Sequence, residues 1–152
     1  NLGFIMDERK NPDRVNEAFA LPLLKNADIT DALRAHVLRY LPDGHKALTQ
    51  SQLASWLESK EERLQHEAVW KLRHFTDDAT VKTIRTVALN EKREIQLRLS
   101  AVAAMGLGET TDTNSLIKIA TGKIASLRDE SLRSLIGAPL EADDKQQLSK
   151  LA

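Results

Sequence analysis

The sequence contains no cysteine, so disulfide bonds and metal sites built from thiolates are both excluded. Aromatic residues make up only 4% of the chain, and aliphatic side chains and alanine must therefore fill its core. Such a core suits closely packed helices better than a sheet. Hydrophobic residues still amount to 41% of the 152 residues. This is enough to bury a full core, either in one globular domain or in about four to five repeats.

The chain also lacks an excess of charge of either sign, because 22 Lys and Arg residues balance 22 Asp and Glu residues. It therefore does not create the large positive field that non-specific nucleic-acid binding needs. No apolar stretch approaches the ~20 residues that span a bilayer. The sequence shows no signal-peptide pattern, and because it begins at Asn1 without an initiator methionine we expect a processed protein or a segment of a larger one.

Recognisable catalytic motifs are missing as well, since there is neither a Gly-rich phosphate loop nor a Gly-x-Ser-x-Gly elbow. Gly106 and Gly108 follow an apolar helical stretch, and we interpret them as a helix stop. The paired carboxylates of Asp77 and Asp78 fall at a predicted helix start, where they complement the helix dipole. We therefore predict that this segment is not an enzyme, and a catalytic domain elsewhere in a longer chain is compatible with that prediction.

One pattern recurs four times along the chain. Each copy has an apolar residue, a polar residue directly after it, a third residue four positions from the first, and a last apolar residue after four more. The copies begin at Leu33, Leu64, Leu97 and Leu127, at intervals of 31, 33 and 30 residues. The third and last positions are Val37 and Leu41, Ala68 and Leu72, Ala101 and Met105, and Ser131 and Leu135. A fixed period in this range indicates stacked helical hairpins, each of which buries its apolar face against its neighbours.

Helix start and stop signals divide the sequence into helix pairs. Asn11-Pro12 opens the first pair, and Pro42-Asp43-Gly44 ends it. There is no strand-like alternation, so the predicted fold is all-α, a right-handed α-solenoid of about four stacked antiparallel helix pairs plus a terminal helix. We assign residues 1–11 to the end of a preceding unit or a linker and residues 12–152 to the repeat domain, with units of about 12–43, 48–76, 77–108 and 111–138 and a half unit of 139–152.

The second helix of each pair resembles HEAT repeats in its apolar-Arg-x-x-Ala-x-x-x-Leu core, and it is most similar to the short HEAT-like variety common in bacterial proteins. Arg34, Arg98 and Arg128 match the motif arginine, whereas Gln65 departs from it. The resemblance covers roughly residues 12–152. It implies a scaffold that binds a protein partner, although a few HEAT-like proteins are DNA glycosylases, a di-iron hydroxylase or chromophore lyases.

The motif arginine lies about 100° around the helix from the first leucine, inside the arc that faces the core. We therefore expect Arg34, Arg98 and Arg128 to have a structural role between repeats. Their stems should follow the core, and their guanidinium groups should bond main-chain carbonyls or a carboxylate of an adjacent repeat. The alternative is an arginine ladder that binds anions.

The resemblance also implies that the second helices line the concave face of the stack. On this face we predict a partner-binding patch that consists of His36, Arg39, His66, Trp70, His74 and Leu99. Trp70 is its predicted anchor, because an indole on a solvent-facing arc is the usual anchor type in protein interfaces. The alternative is that Trp70 covers a groove between repeats as part of the core. Trp56 is expected to pack in the core.

His66-Glu67 resembles the His-Glu pair of the HEAT-like di-iron hydroxylase of deoxyhypusine, in which several such pairs converge on two metals. The equivalent positions in the other repeats are not His-Glu pairs. One pair cannot supply the ligands of a metal site. We therefore predict neither a metal nor a cofactor.

Nucleic acid is an alternative partner, because some HEAT-like folds clasp DNA in their groove. The basic residues of the predicted second helices include Arg39, Lys71, Arg73 and Arg133. Acidic residues such as Glu67 share the outward arc and would repel phosphates. The sequence thus favours a non-catalytic scaffold with a protein partner over nucleic-acid binding, and an accessory repeat domain of a larger enzyme is a further alternative.

Overall fold

A computed structural model describes residues 12–107 and 112–151. These residues form nine α-helices and no strand, so the prediction of an all-α fold is confirmed for this part of the chain. In chain order the helices are α1 (Pro12–Lys25), α2 (Asp31–Tyr40), α3 (Gln50–Trp56), α4 (Glu62–Leu72), α5 (Asp78–Leu89), α6 (Ile95–Leu107), α7 (Thr113–Ala120), α8 (Ala125–Ser134) and α9 (Ala142–Ser149). None of these described helices is long and apolar enough to span a bilayer.

The chain divides into two compact units, Asn1–Lys71 and Leu72–Ala152. In the first unit, α1 packs against α2. In the second unit, α6 packs against both α5 and α8, and α7 packs against both α8 and α9. The predicted solenoid and its repeat boundaries over residues 12–152 stay predictions.

Local sequence accounts for where most of the helices begin. The side chains of Thr30, Thr49, Asp77 and Asp112 each accept a hydrogen bond from a main-chain N–H in the first turn of the helix that follows. The prediction that Asp77 lies at a helix start is therefore confirmed. Helix α1 begins at the predicted proline, whereas the capping residue proposed before it lies outside the described residues.

The apolar positions of the repeated motif are buried, with one exception. Leu33 has 42% of its surface exposed, so its predicted place in the core is wrong. The buried residues of this helix and its C-cap are Ala35, Val37, Leu38 and Leu41. Their arc is centred about 115° around the helix axis from Leu33, which therefore lies at the margin of the core.

The helix α6 ends at Leu107, between the two glycines of the proposed stop, so Gly106 itself lies in its last turn. A Cβ atom at Gly106 would lie only 2.5 Å from the Cβ of Ser134 and 2.9 Å from its Cα. Ser134 is the last residue of α8, and its Oγ donates to the carbonyl of Val102 at 3.4 Å. The close approach of α6 and α8 thus leaves no room for a side chain at position 106, and glycine fits there. The other glycine of the proposed stop, Gly108, lies outside the described residues.

Replacing Gly106 by alanine tests this close approach. Alanine has the higher helix propensity by about 1 kcal/mol, whereas overpacking at a helix contact typically costs about 1–3 kcal/mol. We therefore expect G106A to lower the melting temperature measured by circular dichroism. The double variant G106A/S134G should recover part of that loss, because it removes the Cβ atom nearest to the new methyl group. A higher melting temperature for G106A would contradict the close approach.

Candidate functional site

Four residues of the predicted patch lie in the first unit, on α2 and α4. His36 and Arg39 of α2 are exposed, and His66 of α4 is half-buried. Trp70 of α4 has 38% of its surface exposed. Trp70 therefore reaches the surface, as its position on the outward arc predicts, and its role in binding stays a prediction.

An aromatic pair that the sequence analysis missed lies on the same helix as His36. The rings of His36 and Tyr40 meet edge to face, with their centroids 5.0 Å apart. Tyr40 has 55% of its surface exposed. The four-residue spacing of these two rings, which places them on one face of a helix, was the signal that could have revealed the pair. We refer to His36, Arg39, Tyr40, Glu67 and Trp70 together as the α2–α4 surface.

The charges of the two helices interact at Glu67. Burial raises the pKa of the Glu67 carboxyl above its ordinary value of 4.5. The positive charges of Lys71 and Arg39 act in the opposite direction and offset only part of this shift. Arg39 of α2 therefore stabilises the carboxylate of a residue on α4, so the two helices share one electrostatic environment.

Lys71 joins the end of α4 to the end of α2. Its side chain is only 4% exposed, and its Nζ donates to the carbonyl oxygen of Leu41 at 2.6 Å and to Oδ1 of Asp43 at 2.8 Å. Leu41 is the C-cap of α2, where carbonyl groups lack donors within the helix. Lys71 therefore caps α2, and its ammonium group is not exposed for contact with phosphates.

The remaining residues of the predicted patch, His74 and Leu99, belong to the second unit. His74 is exposed, and its Nε2 accepts a hydrogen bond from Nε of Arg73 at 3.2 Å. Leu99 of α6 is half-buried. That these two residues share one binding patch with Trp70 stays a prediction.

The polar position of the repeated motif has a common structural role in three of the four copies. The side chain donates to a carbonyl at or beyond the C-terminal end of the preceding helix. Arg34 donates to Asn26 directly after α1 (3.3 Å), Gln65 to Ser59 in the connection between α3 and α4, and Arg98 to Ala88 in the last turn of α5 (3.0 Å). The departure at Gln65 is thereby explained, because an amide nitrogen replaces the guanidinium as donor. Each of these bonds lies within one helix pair, so a role between repeats stays a prediction.

The motif arginines of the first and fourth copies, Arg34 and Arg128, make different further contacts. The guanidinium of Arg34 lies 5.9 Å from the ring centroid of Trp56, which is half-buried beneath it. Trp56 is thus only partly inside the core in which we expected it. Arg128 is more exposed than Arg34 or Arg98, and its Nε lies 3.7 Å from Oδ1 of Asp129. A surface pair of this kind contributes little to stability.

No cluster of three or more His, Asp or Glu side chains that could hold a metal ion is present among the described residues. The pKa of Glu67 is explained by its burial and by the neighbouring charges.

Comparisons with protein-family models, with curated proteins and with solved structures found no match to this chain. The described residues of this chain form an all-α fold. That the chain belongs to the HEAT-like family therefore stays a prediction from the repeated motif.

The substitution K71M tests the capping role of Lys71. It removes the hydrogen bonds that Lys71 donates to the Leu41 carbonyl and the Asp43 carboxylate, and hydrogen bonds to charged groups contribute about 1.5–3 kcal/mol. We expect a loss of that size in the free energy of unfolding, measured by urea denaturation. Lys82, which is exposed on α5, provides the matched control K82M. Equal losses for the two variants would contradict the capping role.

The pKa of Glu67 leads to a prediction about pH. Because this pKa is raised in the folded state, the folded protein keeps a proton just above pH 4.5 that the unfolded chain has released. The stability contributed by Glu67 therefore falls as the pH rises through its folded-state pKa. The variant E67Q lacks this dependence, so its free energy of unfolding should rise relative to the unmodified protein between about pH 4 and about pH 7. Urea denaturation across this range measures the difference, and a falling difference would contradict the raised pKa.

Proposed function

We propose that this chain is a HEAT-like α-solenoid that serves as a non-catalytic scaffold for a protein partner. The repeated motif supports the solenoid, because its buried positions recur in register along the chain. The packing of the second unit supports it as well. There the second helices of adjacent pairs, α6 and α8, pack against one another, and so do the first helix α7 and the terminal helix α9. Stacked repeats have this pattern of neighbours.

Exposed aromatic side chains carry the proposal of a protein partner. Trp70 and Tyr40 are 38% and 55% exposed in a chain with few aromatic residues. Tryptophan and tyrosine are the residues most enriched among those that dominate binding energy at protein interfaces. The helices that carry them also carry charges of both signs, with Arg39 exposed on α2 and Glu67 half-buried on α4, and the rim of an interface is polar.

The pairing of basic residues favours a protein over nucleic acid. Lys71 is buried and pairs with Asp43. Arg133 of α8 pairs with Glu130 at 2.6 Å, and Arg85 of α5 pairs with Asp112. Cations that are already neutralised by carboxylates release few counterions from a phosphate backbone, which is the main source of non-specific affinity for nucleic acids.

A binding experiment with the variant W70A and the control F19A tests the proposal. The immobilised chain is used to capture partners from an extract of the source cells, and the partner retained is then titrated against purified variants. We expect W70A to weaken this complex by about 2 kcal/mol or more while its melting temperature changes little. Phe19 on α1 is 71% exposed and lies outside the α2–α4 surface, so F19A should bind like the unmodified chain.

Two outcomes would contradict this assignment. A large fall in the melting temperature of W70A would make Trp70 a core residue, because loss of a core aromatic costs about 3–5 kcal/mol of stability. Equal affinities for W70A and F19A would show that the partner does not contact Trp70.

A further inference from the structure

A groove with a volume of about 530 Å³ lies in the second unit. It is bordered by the end of α5, the first turn of α6 and the connection between α7 and α8. Pockets that hold small molecules typically measure about 300–1,000 Å³. The groove is therefore large enough for a ligand of several heavy atoms, and its lining indicates which chemistry would fit.

The lining carries a local excess of positive charge. Arg98, Lys118 and Lys123 contribute three cations, and Glu91 contributes one carboxylate. Lys118 and Lys123 are exposed, and neither forms an ion pair with another described residue. The chain as a whole has no net charge, so the lining of this groove is more positively charged than the chain as a whole.

Among these three cations, Arg98 is the one whose side chain is fixed by a hydrogen bond to the main chain. The residue is only 7% exposed, and its Nε donates to the Ala88 carbonyl at 3.0 Å. Its two Nη atoms have no hydrogen-bond partner among the described residues. No fully buried side-chain nitrogen or oxygen of those residues lacks a partner, so each Nη atom keeps some exposure, and Arg98 is one of the residues that line the groove. A guanidinium fixed through Nε offers its remaining N–H groups in the planar geometry that matches an oxyanion.

Apolar side chains line the groove beside these cations. Leu89, Ile119 and Leu127 contribute aliphatic surface, and Ile124 is 41% exposed. Ile124 is also the N-cap of α8, and no side chain caps the first turn of this helix. The N–H groups of that turn add to the positive potential at this end of the groove.

We propose that this groove binds a small ligand in which an oxyanion, a carboxylate or a phosphate, is joined to an apolar group. The oxyanion accepts hydrogen bonds from the Nη groups of Arg98 and is attracted by Lys118 and Lys123. The apolar group packs against Ile119 and Ile124. This site lies in the second unit and is independent of the α2–α4 surface proposed for a protein partner.

Titration of the full chain with three eight-carbon probes tests the ligand chemistry. Octanoate carries a carboxylate on a seven-carbon alkyl chain, and octyl phosphate and octylamine carry a phosphate and a cation on an eight-carbon alkyl chain. We expect the amide resonances of Gly122, Lys123 and Leu127 to shift saturably with at least one of the two anions and not with octylamine. The anion that binds more tightly identifies the oxyanion. The absence of a saturable shift with either anion, or equal binding of octylamine, would overturn the proposal.

Charge reversal at the rim locates the binding in the groove. The variant K118E/K123E changes exposed lysines, so it should fold normally and should weaken anion binding about fivefold or more. The matched control K82E/K92E reverses two exposed lysines outside the groove and should bind as the unmodified chain does. The variant R98K keeps the charge but loses the planar fork, and its affinity should fall as well. Equal weakening by the two double variants would show a general charge effect and would overturn the site.

Discussion

The carbonyl groups at the C-terminal ends of the helices have no donors within their own helices, and the way in which they are satisfied underlies much of this structure. The polar motif position of the following helix supplies the donor in two copies, as Arg34 and Arg98 do. Lys71 does the same for the end of α2 from the end of α4. These bonds join α2, α4 and α6 to the end of an earlier helix.

This use of cationic side chains has consequences for function. A guanidinium or ammonium group that bonds a helix end inside the protein is not exposed for a phosphate backbone, which is the case for Lys71. Arg98 is different, since only its Nε bonds the helix end and its Nη groups are not fully buried. The same side chain can therefore stabilise a helix end and face a ligand.

Small residues permit the close packing that a core with few aromatics requires. At Gly106 the absence of a side chain brings α6 and α8 together. Ser131 is fully buried on α8, and its hydroxyl donates to the carbonyl of Leu116 on α7, so a polar side chain in the core is satisfied. Aliphatic residues fill most of the interior, and Tyr40 and Trp70 lie at the surface.

Helices and most of their starts were predictable from the sequence alone, because caps such as Thr49 and Asp77 and the spacing of apolar residues act over a few residues along the chain. Repetition of the motif likewise predicted most of its buried positions. The burial of Lys71, the exposure of Leu33 and the contact at Gly106 were decided by the tertiary structure. Each of them depends on which residue of another helix or loop lies opposite, and that distance and direction are set only when the helices pack.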